Sequence, residues 1–140
     1  MLALGVRSDV KWSKPAQNLY KVNVDACFME DGSGATAAVL RNHSGEALTG
    51  STTLFTRVLD ATAAEALALK NCMELADQWG CSNVIFESDC LEIIQACKGE
   101  VDILSPYSAT LNECFHLARS IGSVLYSNYP RKGNKVTQAC

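Results

Sequence analysis

Three carboxylates in separate segments of the sequence are placed so that they could bind one metal centre. Asp25 lies inside an alternating stretch of apolar and polar residues, Glu65 near the start of an apolar helical pattern, and Asp89 shortly after a short apolar run. A carboxylate lies near the functional edge of a sheet when it is inside a strand, in the first turn of a helix or just past the end of a strand. Carboxylate oxygens are the hard ligands that Mg²⁺ prefers. The three residues therefore predict a magnesium site.

Each carboxylate also has an alternative explanation without a metal. Thr62 and Glu65 have the spacing of a capping box, in which Thr62 begins the helix and Glu65 reaches back to its amide. Asp89 has the position of a helix N-cap, with Glu92 at capping-box spacing. Asp25 has the weakest alternative, a solvated strand residue, because aspartate is depleted in strands.

The composition predicts one globular domain that does not bind nucleic acid through bulk positive charge. The 140 residues are the length of an ordinary domain, and 48% of them are hydrophobic, which is enough for a core. The formal net charge is −3, whereas proteins that hold nucleic acid by overall charge are basic. Any contact with nucleic acid must therefore be local.

Cysteine usage and hydropathy predict the compartment. The seven cysteines form no CxxC pair and have no zinc-like spacing, and several fall at apolar positions, so we interpret them as small core residues of a reduced protein. The first seven residues are too short for the apolar part of a signal peptide, and no stretch approaches the length of a membrane span. We expect a protein of the nucleus or cytoplasm without a membrane association.

The amino-terminal third has the pattern of an antiparallel meander. Residues 1–18 show no clear period and are interpreted as a loosely ordered lead-in to a domain over 19–140. Apolar and polar residues alternate over 20–28, and two further strands, 35–41 and 46–55, flank a short loop.

The rest of the chain alternates between helices and strands. From Ala61 the apolar period changes to three and four residues, which predicts a five-turn helix with Trp79 on its apolar face, closed by Gly80. The remaining predicted elements are a strand at 83–86, a helix near 89–98, a helix beginning at Ser105-Pro106, and a strand at 123–127. Helix, strand and helix in succession indicate a parallel crossover.

This order of elements, with acidic residues on the first strand, the first long helix and the end of the fourth strand, resembles the type 1 ribonuclease H domain. Segments 21–28, 39–46, 64–69 and 86–89 look more closely like the plant ribonuclease H-like domains related to retroelement reverse transcriptases. Pro130, Arg131 and Asn134 continue the resemblance, which covers the chain from about Trp12 onward. It implies an α/β ribonuclease H-like fold: a five-stranded mixed sheet, three strands antiparallel and two parallel, with helices on both faces.

The resemblance also implies an activity, namely metal-dependent endonucleolytic hydrolysis of the RNA strand of RNA–DNA hybrids. Asp25, Glu65 and Asp89 would hold two Mg²⁺ ions about 3.5–4 Å apart, for which Mn²⁺ can substitute. We expect a monomer. The residues expected to contact nucleic acid flank the proposed metals and are Arg131, Lys132, Asn134 and Lys135.

Two positions depart from the family pattern. Asn128 stands where the family has a loop histidine, and Gln138 stands where it has a fourth carboxylate. Each replaces a titratable group with a neutral amide, so Gln138 is at most a weak metal ligand, and Asn128 cannot transfer a proton as histidine does. Because the sequence ends two residues after Gln138, we interpret the last helix as truncated. The alternative function is a catalytically degenerate, retroelement-derived domain that binds nucleic acid or another partner.

Three further polar residues are not predicted to be catalytic. Glu87 lies two residues before Asp89 and is interpreted as adding polarity beside it. His43, in the predicted hairpin loop, and His116, in a predicted helix, are interpreted as surface or packing residues.

Overall fold

The computed structural model describes residues 18–100 and 106–129. The predicted lead-in lies outside these ranges except for its last residue, Asn18. The predicted final helix lies wholly outside them.

Five strands form one mixed sheet in the order β3-β2-β1-β4-β5. They are β1 (Tyr20–Phe28), β2 (Gly34–Arg41), β3 (Ala47–Phe55), β4 (Asn83–Ser88) and β5 (Ser123–Asn128). β1 and β3 both run antiparallel to β2, whereas β4 runs parallel to both β1 and β5. The predicted mixed sheet is therefore confirmed.

The strand β4 is longer than its apolar run predicts. The prediction ends at Phe86, but Glu87 and Ser88 continue the strand because they pair with Asn23 and Val24 of β1. Local sequence could not show this, since the two added residues are polar and their pairing partners are more than 60 positions away.

Three helices complete the described fold: α1 (Ala61–Gln78), α2 (Leu91–Cys97) and α3 (Ser108–Ile121). α1 lies against β1, β2 and β4, and both α2 and α3 contact α1 and β5. The prediction that Trp79 lies on the buried face of α1 is wrong, because Trp79 is the C-cap of the helix and is 50% exposed. None of the helices in the described ranges is long and apolar enough to cross a membrane.

The core lies between the sheet and α1. The even-numbered residues Val22, Val24 and Ala26 of β1 are buried, as the alternation predicts. Their partners across the interface are mostly small side chains of α1, which are Ala64, Ala66, Ala68, Cys72 and Ala76. The cysteines Cys72, Cys81 and Cys114 are buried free thiols, which agrees with their interpretation as small core residues. Cys27, however, is disulfide-bonded, so the expectation of a fully reduced protein is wrong.

The caps of the helices remove two of the alternative explanations for the carboxylates. Asp60 is the N-cap of α1, and its Oδ1 accepts a hydrogen bond from the amide of Ala63 at 2.8 Å. The predicted capping box from Thr62 to Glu65 is therefore wrong, and Glu65 lies just past the first turn rather than within it. The prediction that Asp89 caps α2 is also wrong, because the N-cap is Cys90.

Replacing Asp60 with alanine should lower the free energy of unfolding by about 1 kcal/mol, because the amide of Ala63 loses its side-chain acceptor. Thr62→Ala is the matched control and should change stability by less than about 0.5 kcal/mol, since Thr62 lies inside the helix. Urea denaturation of both variants checks the cap. A larger loss in Thr62→Ala than in Asp60→Ala would contradict it.

Candidate active site

Two of the three carboxylates are brought together by the pairing of β1 with β4. Val24 is the register partner of Ser88 in this parallel ladder. Asp25 and Asp89 are the next residues on their respective chains, so they lie at the same level of the sheet. Asp25 remains inside β1, opposite Ala37 of β2, whereas Asp89 comes directly after the last residue of β4.

The helix α1 supplies the third carboxylate. Glu65 is only 9% exposed, and it lies two turns before Cys72 on the same side of the helix. The Cys72 thiol donates to the backbone carbonyl oxygens of Asn23, at 3.9 Å, and Ala37, at 3.8 Å. Since these carbonyls belong to β1 and β2, the side of α1 that carries Glu65 is packed directly onto these two strands, the first of which carries Asp25.

The pKa values of two thiols are affected by the three carboxylates. Burial raises the pKa of Cys72 far above its usual range, and the negative charges of Asp25 and Glu65 raise it further. Burial also raises the pKa of Cys90, with added contributions from Glu65 and Asp89. Glu65 therefore lies near enough to both thiols for its charge to raise their pKa values.

Each of the three carboxylates also has one oxygen out of contact with solvent: Oδ1 of Asp25, Oε1 of Glu65 and Oδ2 of Asp89. These oxygens are hard donors of the kind that Mg²⁺ and Mn²⁺ accept. Within residues 18–100 and 106–129, however, no three His, Cys, Asp or Glu side chains converge into a metal-binding group. The chemistry of the donors fits a magnesium site, whereas their side chains lie on adjoining elements without closing around one point.

Asn128 is the last residue of β5 and pairs with Ser88. Its side-chain Nδ2 donates to the Ser88 carbonyl oxygen at 3.2 Å, and the amide of Tyr129 donates to the same oxygen at 2.8 Å. The Ser88 hydroxyl oxygen accepts from the amide of Cys90 at 3.1 Å. The turn that carries Asp89 is therefore held by hydrogen bonds to both the carbonyl and the hydroxyl of Ser88. The Asn128 side chain binds the backbone carbonyl at the end of β4. The other predicted site residues lie outside the described part of the chain: Arg131, Lys132, Asn134, Lys135 and Gln138.

A polar network includes residues on the same face of β1 as Asp25. Of its members, only Glu87 could be identified from the sequence. Glu87 Oε1 accepts from Nδ2 of Asn23 at 3.1 Å, and Glu87 Oε2 lies 3.3 Å from Nζ of Lys21. Arg41 extends the network, because its Nε donates to Oδ1 of Asn23 at 3.2 Å. Alternation places Lys21, Asn23 and Asp25 on one face of β1, but only the register of β1 with β2 and β4 identifies their partners.

The two histidines are exposed, in agreement with their interpretation as surface residues. His43 lies in the loop between β2 and β3. His116 is on α3, where its Nδ1 lies 2.7 Å from a guanidinium nitrogen of Arg119.

Comparison with known proteins gives a family and a fold. A family model described as reverse transcriptase-like matches residues 23–140. No curated protein matches significantly. Among solved structures, RNase H1 from the halophilic archaeon Halobacterium salinarum NRC-1 superposes with a TM-score of 0.79 at 19% identity, covering 86% of this chain and 92% of that one.

Two further solved structures agree with this result. The N-terminal RNase H domain of Rv2228c from Mycobacterium tuberculosis, solved as a fusion with maltose-binding protein, has a TM-score of 0.77 at 17% identity and covers 84% of this chain and 86% of that one. LC11-RNase H1, isolated from compost by a metagenomic approach and solved in complex with RNA/DNA hybrid, has a TM-score of 0.76 at 16% identity, with 86% and 91% covered. At these identities the likeness establishes the fold.

Replacing Asn128 with alanine should lower the free energy of unfolding by about 1 kcal/mol, because the Ser88 carbonyl loses one of its two donors. Amide hydrogen exchange should also become faster at Tyr129, next to the lost bond. Asn112→Ala, on the exposed side of α3, is the control and should leave both quantities unchanged. If the two variants behave alike in urea denaturation and exchange, Asn128 does not support the turn.

Proposed function

Because the chain belongs to the reverse transcriptase-like family and has a ribonuclease H-like fold, we propose that it is a ribonuclease that cleaves the RNA strand of RNA–DNA hybrids with divalent metal ions. The observation that supports this proposal is the β1–β4 register, which puts Asp25 and Asp89 at the same level of the sheet, while Glu65 is nearly buried on the helix that packs against β1. A structural role at the helix caps does not account for them, since the caps are Asp60 and Cys90.

The carboxylates are the proposed ligands. Like charges on neighbouring carboxylates repel one another, and bound cations relieve that repulsion. Mg²⁺, when bound, would supply activation of the attacking water and stabilisation of the leaving oxygen. The protein's own contribution is placement: the β1–β4 ladder fixes Asp25 beside Asp89, and the packing of Cys72 holds the helix that carries Glu65.

The choice of substrate is supported by the fold rather than by overall charge. LC11-RNase H1, which shares the fold, has been solved with an RNA/DNA hybrid. A hybrid is recognised by its backbone shape and by 2′-hydroxyl contacts more than by base edges, so we expect no strong sequence preference. In this proposal Arg131, Lys132, Asn134 and Lys135 contact the backbone, Gln138 is a weak neutral ligand, and the domain acts as a monomer.

A second candidate function is nucleic-acid binding without cleavage. Two observations favour it. Gln138 and Asn128 are neutral amides where the family pattern has titratable groups, and the Asn128 amide is already bound to the Ser88 carbonyl. The double substitution Asn128→His and Gln138→Asp separates the two functions. A large gain in hybrid cleavage would indicate a weakened nuclease, whereas no gain, with binding retained, would favour the binding role.

Asp25→Asn should abolish magnesium-dependent cleavage of a labelled RNA–DNA hybrid, with a loss of more than about 100-fold. Even removal of an outer-shell partner of a metal ligand costs about 10–100-fold in metal affinity or activity. Asp77→Asn is the matched control, because it makes the same change near the end of α1, where the side chain accepts from the Ser120 hydroxyl. Equal cleavage by the two variants would contradict the assignment of Asp25.

Mg²⁺ should raise the Tm of the wild-type chain by several degrees and have a much smaller effect on Asp25→Asn. A ligand at 100 times its Kd stabilises the folded state by about 2.7 kcal/mol. The Asp77→Asn variant should respond like the wild type. An equal magnesium response in all three proteins would mean that the ions act at general surface sites, and the proposed metal site would be wrong.

A further inference from the structure

A second polar site lies at the opposite end of β1 from Asp25. Lys21, near the start of the strand, is the register partner of Arg41 at the end of β2. Both residues and His43, from the loop that follows β2, line a depression of about 270 Å³. The site therefore collects three basic side chains on an otherwise acidic protein, whose net charge is −3.

Arg41 is held in a fixed orientation. Its Nε donates to Oδ1 of Asn23 at 3.2 Å, and its Nη1 donates to the carbonyl oxygen of Gly45 at 3.2 Å. These two bonds position the planar guanidinium, while its Nη2 takes part in neither. A guanidinium in a fixed orientation presents its remaining donors to a phosphate without paying the full cost of ordering a flexible side chain.

The acidic groups near the depression are engaged by other residues. Glu87 bonds Asn23 and lies 3.3 Å from Nζ of Lys21, which is still 46% exposed. Glu46 accepts from the side-chain amide of Asn42 at 2.9 Å. Glu87 shares the charge of Lys21 and Glu46 is bound to Asn42, so the Arg41 guanidinium is the group through which this depression attracts an anion.

We propose that this depression is a phosphodiester-binding subsite for a nucleic-acid strand that also reaches the carboxylates. This inference rests on the proposed function. Lys21 and Asp25 lie four residues apart on the same face of β1, or about 13 Å at 3.3 Å per residue. In a duplex this span corresponds to about four base-pair steps of about 3.4 Å. Between them that face carries Asn23, flanked by the uncharged Val39 of β2 and by Glu87.

The test measures hybrid binding separately from cleavage. A short RNA–DNA hybrid is titrated in EDTA over a series of salt concentrations, in the Asp25→Asn background, so that the probe stays intact. Arg41→Gln should weaken binding about fivefold to tenfold and reduce the slope of log K against log salt by about 0.9, the value for one phosphate contact. His43→Gln should weaken binding in the same direction.

The control is Arg119→Gln, which removes the same charge from the last turn of α3, where Arg119 lies 2.7 Å from Nδ1 of His116. It should leave affinity and salt slope unchanged. Equal losses in Arg41→Gln and Arg119→Gln would show a general charge effect and overturn the subsite. Unchanged binding in both Arg41→Gln and His43→Gln would also overturn it.

Arg41→Lys separates phosphate binding from support of the loop, because it keeps the charge and loses the bonds to Asn23 and Gly45. Retention of most of the salt slope in Arg41→Lys supports the subsite, and a loss as large as that in Arg41→Gln overturns it. With Asp25 intact and Mg²⁺ present, Arg41→Gln should raise KM and leave kcat unchanged. Binding that follows these predictions without any cleavage by the wild-type chain would refute the nuclease function and leave the subsite in place.

Discussion

The parallel pairing of β1 with β4 is the constraint on which the candidate site depends. Asp25 and Asp89 are 64 positions apart in the sequence, and they lie at the same level of the sheet only because Val24 is paired with Ser88. In a strand the side-chain period is two, so a slip of one residue would move Asp25 to the opposite face of the sheet and bury a carboxylate in the core. The buried Val22, Val24 and Ala26 prevent this slip, which means that the core packing and the site geometry are fixed by the same residues.

The close approach of α1 to the sheet brings the third carboxylate, Glu65, next to the strands. The interface is lined on the helix side by alanines and by Cys72, whose thiol reaches two strand carbonyls. Larger residues there would push the helix away and carry Glu65 with it. Burial of Cys72 keeps its pKa raised, so the thiol stays neutral and adds no further negative charge beside Asp25 and Glu65.

Most of the fold could be predicted from local patterns, whereas the site could be predicted only in part. Alternation gave β1 correctly and the change of period gave α1. Local signals failed where two residues competed for one role or where a partner was distant. Asp60 and Thr62 both have cap chemistry, and only the structure shows that Asp60 accepts from the helix. The partners of Asn23 and the strand position of Asn128 required the register between strands, which no single segment contains.

The face of β1 that carries Lys21, Asn23 and Asp25 changes from basic to acidic along its length. If the protein has the proposed function, this order of charges affects how the nucleic acid binds. A polyanion is attracted at the Lys21 and Arg41 end, but it is repelled at the carboxylate end unless cations neutralise that end. Substrate and divalent ions would therefore bind cooperatively, each lowering the electrostatic cost of the other. A protein with a net charge of −3 can then hold a nucleic acid locally, because its acidic site becomes attractive only when the ions needed for hydrolysis are in place.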